Sequence, residues 1–231
     1  MRIILSILLI AISFSLYSQK TTFKKTKSNN YSEEYFVLRS NKKIKHGPYR
    51  KLNISGDLIA EGAFRNNKKV GRWAYYTNSS MDQIYDHTSK ELVSFNYENQ
   101  QYDVLLNNEI ENFRLDRPPM FIGGKVLLTE VIAKNITFPE QFYNAVRVIA
   151  AVTIGENDNL IDVQIVRGNS ESKKGETAGF PEYETKVILA LKQIKSNWMS
   201  GILDGKAIKS RCILEIAFLV HLSEGKEIKV E

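Results

Sequence analysis

Three Gly-x-aromatic steps, Gly47-Pro48-Tyr49, Gly62-Ala63-Phe64 and Gly71-Arg72-Trp73, confine residues 35–99 to short strands joined by tight turns. At a strand start the glycine permits a tight backbone turn, and the aromatic two residues on packs across the pleat. Turn sequences stand between the steps: Ser55-Gly56-Asp57-Leu58, then Asn66-Asn67-Lys68-Lys69. Tyr49 to Trp73 is thus one period of hairpin and return. After Tyr76 the pattern decays. Ser79-Ser80 stands where a turn glycine is expected, while Ile84-Tyr85-Asp86 and Glu91–Phe95 read as further strands. Each hairpin must bury a face on its neighbour, so the pattern predicts stacked β-hairpins. A generic antiparallel meander satisfies the same local pattern.

The chain opens with Met1-Arg2, an apolar run from Ile3 to Tyr17, and Ser18-Gln19-Lys20. One cation, an apolar core and a small residue before polar sequence predict a secretory signal peptide over residues 1–18, cleaved before Gln19. The run of about 15 residues falls short of the roughly 20 that a bilayer span needs. An uncleaved anchor is the competing reading. Cleavage implies a periplasmic protein with no stable membrane span. No Cys follows the run to carry a lipid. Residues 19–34 are polar and basic and read as a flexible lead-in.

Cys212 is the single cysteine, so no disulfide forms within the chain. It reads as a buried thiol in an apolar strand, with a bridge between two copies the alternative. Homo-oligomers stay open. The net charge of +6 sits in clusters: Lys24-Lys25, Lys42-Lys43 with Lys45, Lys68-Lys69 with Arg72, and Lys173-Lys174. Their turn-like context reads as solvated loop charge. An exported chain does not meet nucleic acid, which leaves anionic lipid surfaces and acidic partners as the relevant polyanions.

Catalytic and metal-binding patterns are missing. His46, His87 and His221 fall in separate segments. Asp82, Asp86 and His87 are close in sequence but match no ligand spacing. There is no nucleophile elbow, P-loop or dinucleotide fingerprint. The chain reads as a non-enzyme with no cofactor and no metal.

Residues 100–117 read as a linker ending at Pro118-Pro119. Beyond it, Leu127, Leu128, Val131 and Ile132 mark one face of a short helix with Asn135 as its stop. Phe138-Pro139 predicts an extended corner. Val146–Ile154 and Leu160–Arg167 alternate as a hairpin around Glu156-Asn157-Asp158-Asn159. Asn169–Gly179 reads as a loop. Pro181 fits the first turn of a helix carrying Tyr183, Val187, Ile188, Leu191, Ile194 and Trp198. Gly201 and Gly205 read as loop glycines, Cys212–Leu222 as an alternating last strand, and residues 223–231 as a polar tail.

The hairpin stretch resembles MORN-type repeats, most closely over Gly62–Tyr76. The later block runs Pro118-Pro119-Met120-Phe121-Ile122-Gly123-Gly124, helix, Phe138-Pro139, hairpin, helix, Trp198-x-x-Gly201, Gly205-Lys206 and last strand. That order, over residues 118–222, resembles the C-terminal domain of the TonB family. The fold class that follows is α+β: a C-terminal two-layer domain of three antiparallel strands under two helices, preceded by the hairpin module. The resemblance implies a periplasmic protein-binding module in outer-membrane transport or cell-envelope assembly. Its final strand would be a sheet edge that accepts a protein or extended peptide, such as an outer-membrane receptor segment, by β-augmentation. The implied partner surface is Leu214, Glu215, Ile216, Ala217, Phe218, Leu219 and Val220. The alternative is a structural, scaffolding envelope protein whose edge is covered by the repeats, the tail or a second copy.

Overall fold

The computed structural model describes residues 19–28, 30–96, 102–106, 109–136, 145–166, 181–221 and 227–229. The expected signal segment, the Phe138-Pro139 corner and the Asn169–Gly179 loop lie outside them. By its internal contacts the chain divides into two units. One comprises Met1–Trp73 with Asp86–Glu91, and the other Ala74–Tyr85 with Leu92–Glu231.

Seven strands pair in chain order as one meander: β1 (Thr21–Lys27), β2 (Tyr31–Leu38), β3 (Lys45–Asn53), β4 (Leu58–Arg65), β5 (Lys68–Thr77), β6 (Ser80–Asp86) and β7 (Glu91–Phe95). The stretch expected as a lead-in, residues 19–34, contains β1 and the start of β2. Thr21 to Lys27 pair residue for residue with Leu38 to Ser32, and Phe23 meets Phe36 edge-on at 5.6 Å. A strand this rich in Lys and Thr is stable at a sheet's edge, where one side faces water.

In the first unit the three repeat aromatics converge. Tyr49 lies 5.2 Å from Phe64 and 5.3 Å from Trp73, and Phe64 lies 5.0 Å from Trp73. The repeat glycines divide two roles between them. Gly47 (φ 110°) and Gly71 (φ 60°) take left-handed backbone, as a turn requires. Gly62 instead leaves room for the Trp73 ring, which would stand 2.4 Å from a Cβ there.

In the second unit, six strands form another antiparallel sheet: β8 (Tyr102–Leu106), β9 (Glu109–Phe113), β11 (Ala145–Ile154), β12 (Leu160–Ile165), β16 (Ser210–His221) and β17 (Glu227–Lys229). Their order is β12-β11-β16-β8-β9, with β17 also on β16. Two short ribbons pair β10 (Met120–Phe121) with β13 (Trp198–Met199), and β14 (Gly201–Leu203) with β15 (Lys206–Ile208). Helices α1 (Gly124–Lys134) and α2 (Pro181–Gln193) cover one face. Leu128 and Ile132, Tyr183, Val187 and Leu191, Val148, Ala150 and Val152, and Cys212 and Ile216 close one core beneath them.

This architecture overturns the expected α+β class. The chain is mostly β, and the sheet under the two helices has six strands rather than three. The extra strands come from the expected linker (β8, β9) and the expected tail (β17). Their carboxylates disguise them in sequence, but Val104 of β8 is fully buried, and Asp103 faces Arg211 of β16 as an ion pair. The second helix also stops short of Trp198. Ile194 N–H donates to Leu191 C=O in a tightened last turn, and Asn197 takes φ 71°. Trp198 is still buried, as a strand residue opposite Phe121 with ring centroids 5.4 Å apart.

Candidate functional site

The strand expected at an edge, β16, lies third in the order of its sheet. β11 pairs with it from Ser210 to Leu219. On its other side β8 pairs at Ser210 and Arg211, and β17 at Leu219, Val220 and His221. Among the described residues, strand pairing on that side is interrupted between Arg211 and Leu219. Leu214, Glu215, Ile216, Ala217 and Phe218 fall within the interruption, while Leu219 and Val220 carry strand partners on both sides. Hydrogen bonds fix which peptide groups face it. Leu105 N–H donates to Lys209 C=O at 3.0 Å, and Val166 N–H to Ile149 C=O at 2.8 Å. Both bonds set the same parity, because the N–H and C=O of one residue share a side of an antiparallel strand. Ile213, Glu215 and Ala217 therefore turn their peptide groups toward the interruption, and Cys212, Leu214 and Ile216 turn theirs to β11.

A cavity of about 480 Å³ adjoins this stretch, within the second unit. Cys212–Ile216 form one wall, and Leu128, Thr129 and Ile132 of α1 another. Pro118–Phe121, Tyr102, Phe95, Asn96 and Gln83 add to it, and Asp82, Lys125 and Glu215 are its charged members. Its lining is thus mixed: apolar side chains predominate, and Asp82, Gln83, Asn96, Lys125 and Glu215 bring polar groups to it.

Gln83 fixes the mouth of α1. Its side chain is 4% exposed. Its Nε2 donates to Phe121 C=O at 3.1 Å, and its Oε1 accepts Gly123 N–H at 2.9 Å. Gly123 has no side-chain cap of its own, so a remote amide satisfies this donor at the helix start. Gly123 (φ 128°) and Gly124 (φ 71°) both need left-handed backbone, the physical basis of the double glycine. A Cβ at Gly124 would stand 3.2 Å from the Asp82 carboxylate, which accepts the Thr77 hydroxyl. Sequence reasoning missed Gln83, a lone amide in the decayed part of a repeat with no motif around it. A second buried node joins Arg117 to Ser200. The guanidinium donates to Ser200 C=O at 2.8 and 3.2 Å, and Ser200 N–H donates to Asp158 at 2.7 Å. Burial lowers the Arg117 pKa, opposed by the Asp158 carboxylate.

The first unit carries a cation–aromatic cluster on its repeat face. Lys45 Nζ lies 4.5 Å from the Tyr35 ring centroid and 5.0 Å from that of Tyr49, Lys51 Nζ 3.8 Å from Tyr31, and Lys69 Nζ 4.4 Å from Trp73. Burial, then Lys51, pushes the Lys69 amine down to about 8. Burial, then Lys69, pushes His87 down to about 4. The pKa of Glu33 also falls, but here the charged form is the one favoured. Burial opposes its ionisation, but the Tyr49 hydroxyl at 2.7 Å and Lys45 at 3.3 Å outweigh it and hold its pKa low.

Cys212 is buried, and burial pushes its thiol up to about 12. The sequence neighbours Asp82, Asp86 and His87 are each engaged separately. Asp86 accepts Thr88 and Ser89 N–H, and the His87 ring lies against Trp73 at 5.9 Å. Among the described residues no three His, Cys, Asp or Glu side chains are placed to hold a metal ion, and no helix is long and apolar enough to cross a membrane.

No family model, no curated protein and no solved structure matches the chain.

Proposed function

We propose that the chain is an exported periplasmic protein-binding module, not an enzyme, that grips an extended peptide along β16 in outer-membrane transport or envelope assembly. The resemblance of residues 118–222 to the TonB C-terminal family supports the partner class. The observation that carries the reading is the interruption, among the described residues, of strand pairing between Arg211 and Leu219, with alternate peptide groups turned toward it beside a cavity of about 480 Å³. Main-chain hydrogen bonds would supply affinity, and the cavity selectivity for one side chain. The covered ends of β16 favour a second reading, a scaffolding protein that binds no receptor.

Calorimetry with N-terminal peptides of outer-membrane receptors separates the two. Glu215→Pro and Ala217→Pro remove donors on the interrupted side and should abolish binding with the fold retained. Leu214→Pro and Ile216→Pro instead break bonds to β11 and should unfold the sheet. If the unaltered protein binds no receptor peptide at millimolar concentration, the peptide-binding reading fails.

A further inference from the structure

Charge is unevenly spread along this chain. Residues 19–45 hold eight cations and two carboxylates, a net +6 that equals the charge of the entire chain. Folding concentrates this excess. Lys25 pairs with Glu34 at 2.6 Å and Lys45 with Glu33 at 3.3 Å, which engages both carboxylates of the stretch. Of the six remaining cations, Lys27 stands at the far end of β1, and the other five gather where the β2–β3 loop folds back on the start of β1. Arg39 N–H donates to Lys20 C=O at 2.9 Å, Arg39 Nε to Thr21 C=O at 3.3 Å, and Lys24 Nζ to Lys42 C=O at 3.3 Å. Lys20, Lys24, Arg39, Lys42 and Lys43 therefore share one corner of the sheet. All but the half-buried Lys24 are exposed, and none of the five has a carboxylate partner among the described residues. In the same strand the Phe23 ring is 52% exposed.

The position of this corner along the chain selects the partner. The apolar run ends at Tyr17, four residues before β1 begins at Thr21. Four extended residues reach about 14 Å at most. Charges act over a Debye length of about 8 to 10 Å in physiological salt. While the uncleaved run lies in a bilayer, the cationic corner is held close to the headgroups, and after cleavage the corner keeps the same cations and the same exposed ring.

We propose that this corner is a docking surface for anionic lipid headgroups, its lysines meeting the phosphates and Phe23 entering the interface. Lysines near an anionic leaflet are each attracted to it, and aromatic rings favour the headgroup level. A soluble polyanion would satisfy the lysines but offer nothing to the ring.

The test uses the chain from Gln19 onward, which holds every described element, in sedimentation with vesicles of phosphatidylglycerol and phosphatidylcholine. Binding to the mixed vesicles that weakens steeply with salt, and none to pure phosphatidylcholine, is expected. Neutralising Lys20, Lys24, Lys42 and Lys43 together to Gln should weaken binding several-hundred-fold, at about fivefold per cation. Neutralising Lys134, Lys192, Lys195 and Lys206 of the other unit should leave it unchanged. Phe23→Ser should weaken vesicle binding severalfold and leave heparin binding unaltered. Equal losses from both lysine sets would overturn the proposal. So would vesicle binding indifferent to Phe23→Ser, which would make the corner a general polyanion site. Circular dichroism of each variant confirms that the fold is kept.

Discussion

Gly62→Ala tests whether the repeat glycines serve backbone or space. In an ordinary strand this change stabilises by about 0.5–1 kcal/mol, because alanine has less chain entropy to lose. Here the new Cβ would stand 2.4 Å from Trp73 Cδ2 and 2.5 Å from Cγ and Cε2. Carbon atoms pack best at about 3.5–4.0 Å, so the overlap is about 1 Å or more. The indole has little freedom to retreat. It is 1% exposed, its Nε1–H donates to Ala63 C=O at 3.1 Å, and Tyr49 and Phe64 flank it at 5.3 and 5.0 Å. Overpacking a closed site costs about 1–3 kcal/mol. The net expectation is a loss of about 2 kcal/mol in urea unfolding followed by circular dichroism, with a change in tryptophan emission. Gly56→Ala is the contrast. Its Cβ meets nothing within 4 Å, and only its φ of 92° resists, so a smaller loss with unchanged emission is expected. In a Trp73→Leu background the Gly62→Ala penalty should largely vanish, because the two sites share one volume. A Gly62→Ala protein as stable as the original, or more so, would refute the packing argument.

Three further outcomes are expected. Gln83→Ala leaves Phe121 C=O and Gly123 N–H without their buried partner, which costs about 1–3 kcal/mol per orphaned group in urea unfolding; Gln83→Glu should lose less, since it still accepts from Gly123. His87 is held down to about 4 from 6.5, first by burial and then by Lys69. The unfolded chain therefore takes up a proton that the folded chain refuses. The His87 contribution to stability should be level above pH 6.5 and fall as pH drops from there toward 4. His87→Gln should flatten that fall, and Lys69→Gln should raise the His87 pKa in an NMR titration. Cys212, buried with its thiol pushed up to about 12, should resist a thiol reagent at pH 8 in the folded protein and react in urea.

Elements with strong periodicity were legible in the sequence. The helix ending at Asn135, the alternation of β11, β12 and β16, and the aromatic packing of Tyr49, Phe64 and Trp73 all rest on local patterns of burial. What escaped depends on partners distant in the chain. β8 offers five residues and one fully buried valine; β9 pairs along its whole length, and Ser210 and Arg211 opposite Val104 and Asp103 join it to the sheet. β1 resembles a basic tail until β2 pairs with it. The position of β16 inside its sheet, and hence the interruption beside the cavity, follows from these additions. The role of Gln83 was hidden for the same reason, since its partners lie 38 and 40 residues further on.

The two sheets impose different histories on a chain that emerges from its N-terminus. In the meander each strand pairs with the one just made, so contacts close over short loops and can form quickly. The second sheet cannot do this. Asp103 waits 108 residues for Arg211, and β11 has β12 alone until β16 arrives. Until then one edge of β11, from Ala145 to Ile154, has no strand to pair with in a partly made molecule, the kind of edge that draws chains together. Refolding should accordingly be biphasic, with a fast phase from the meander and a slow, concentration-sensitive phase that ends when β16 slots between β11 and β8. A helper that shelters β11 would speed the slow phase and leave the fast phase of the meander untouched.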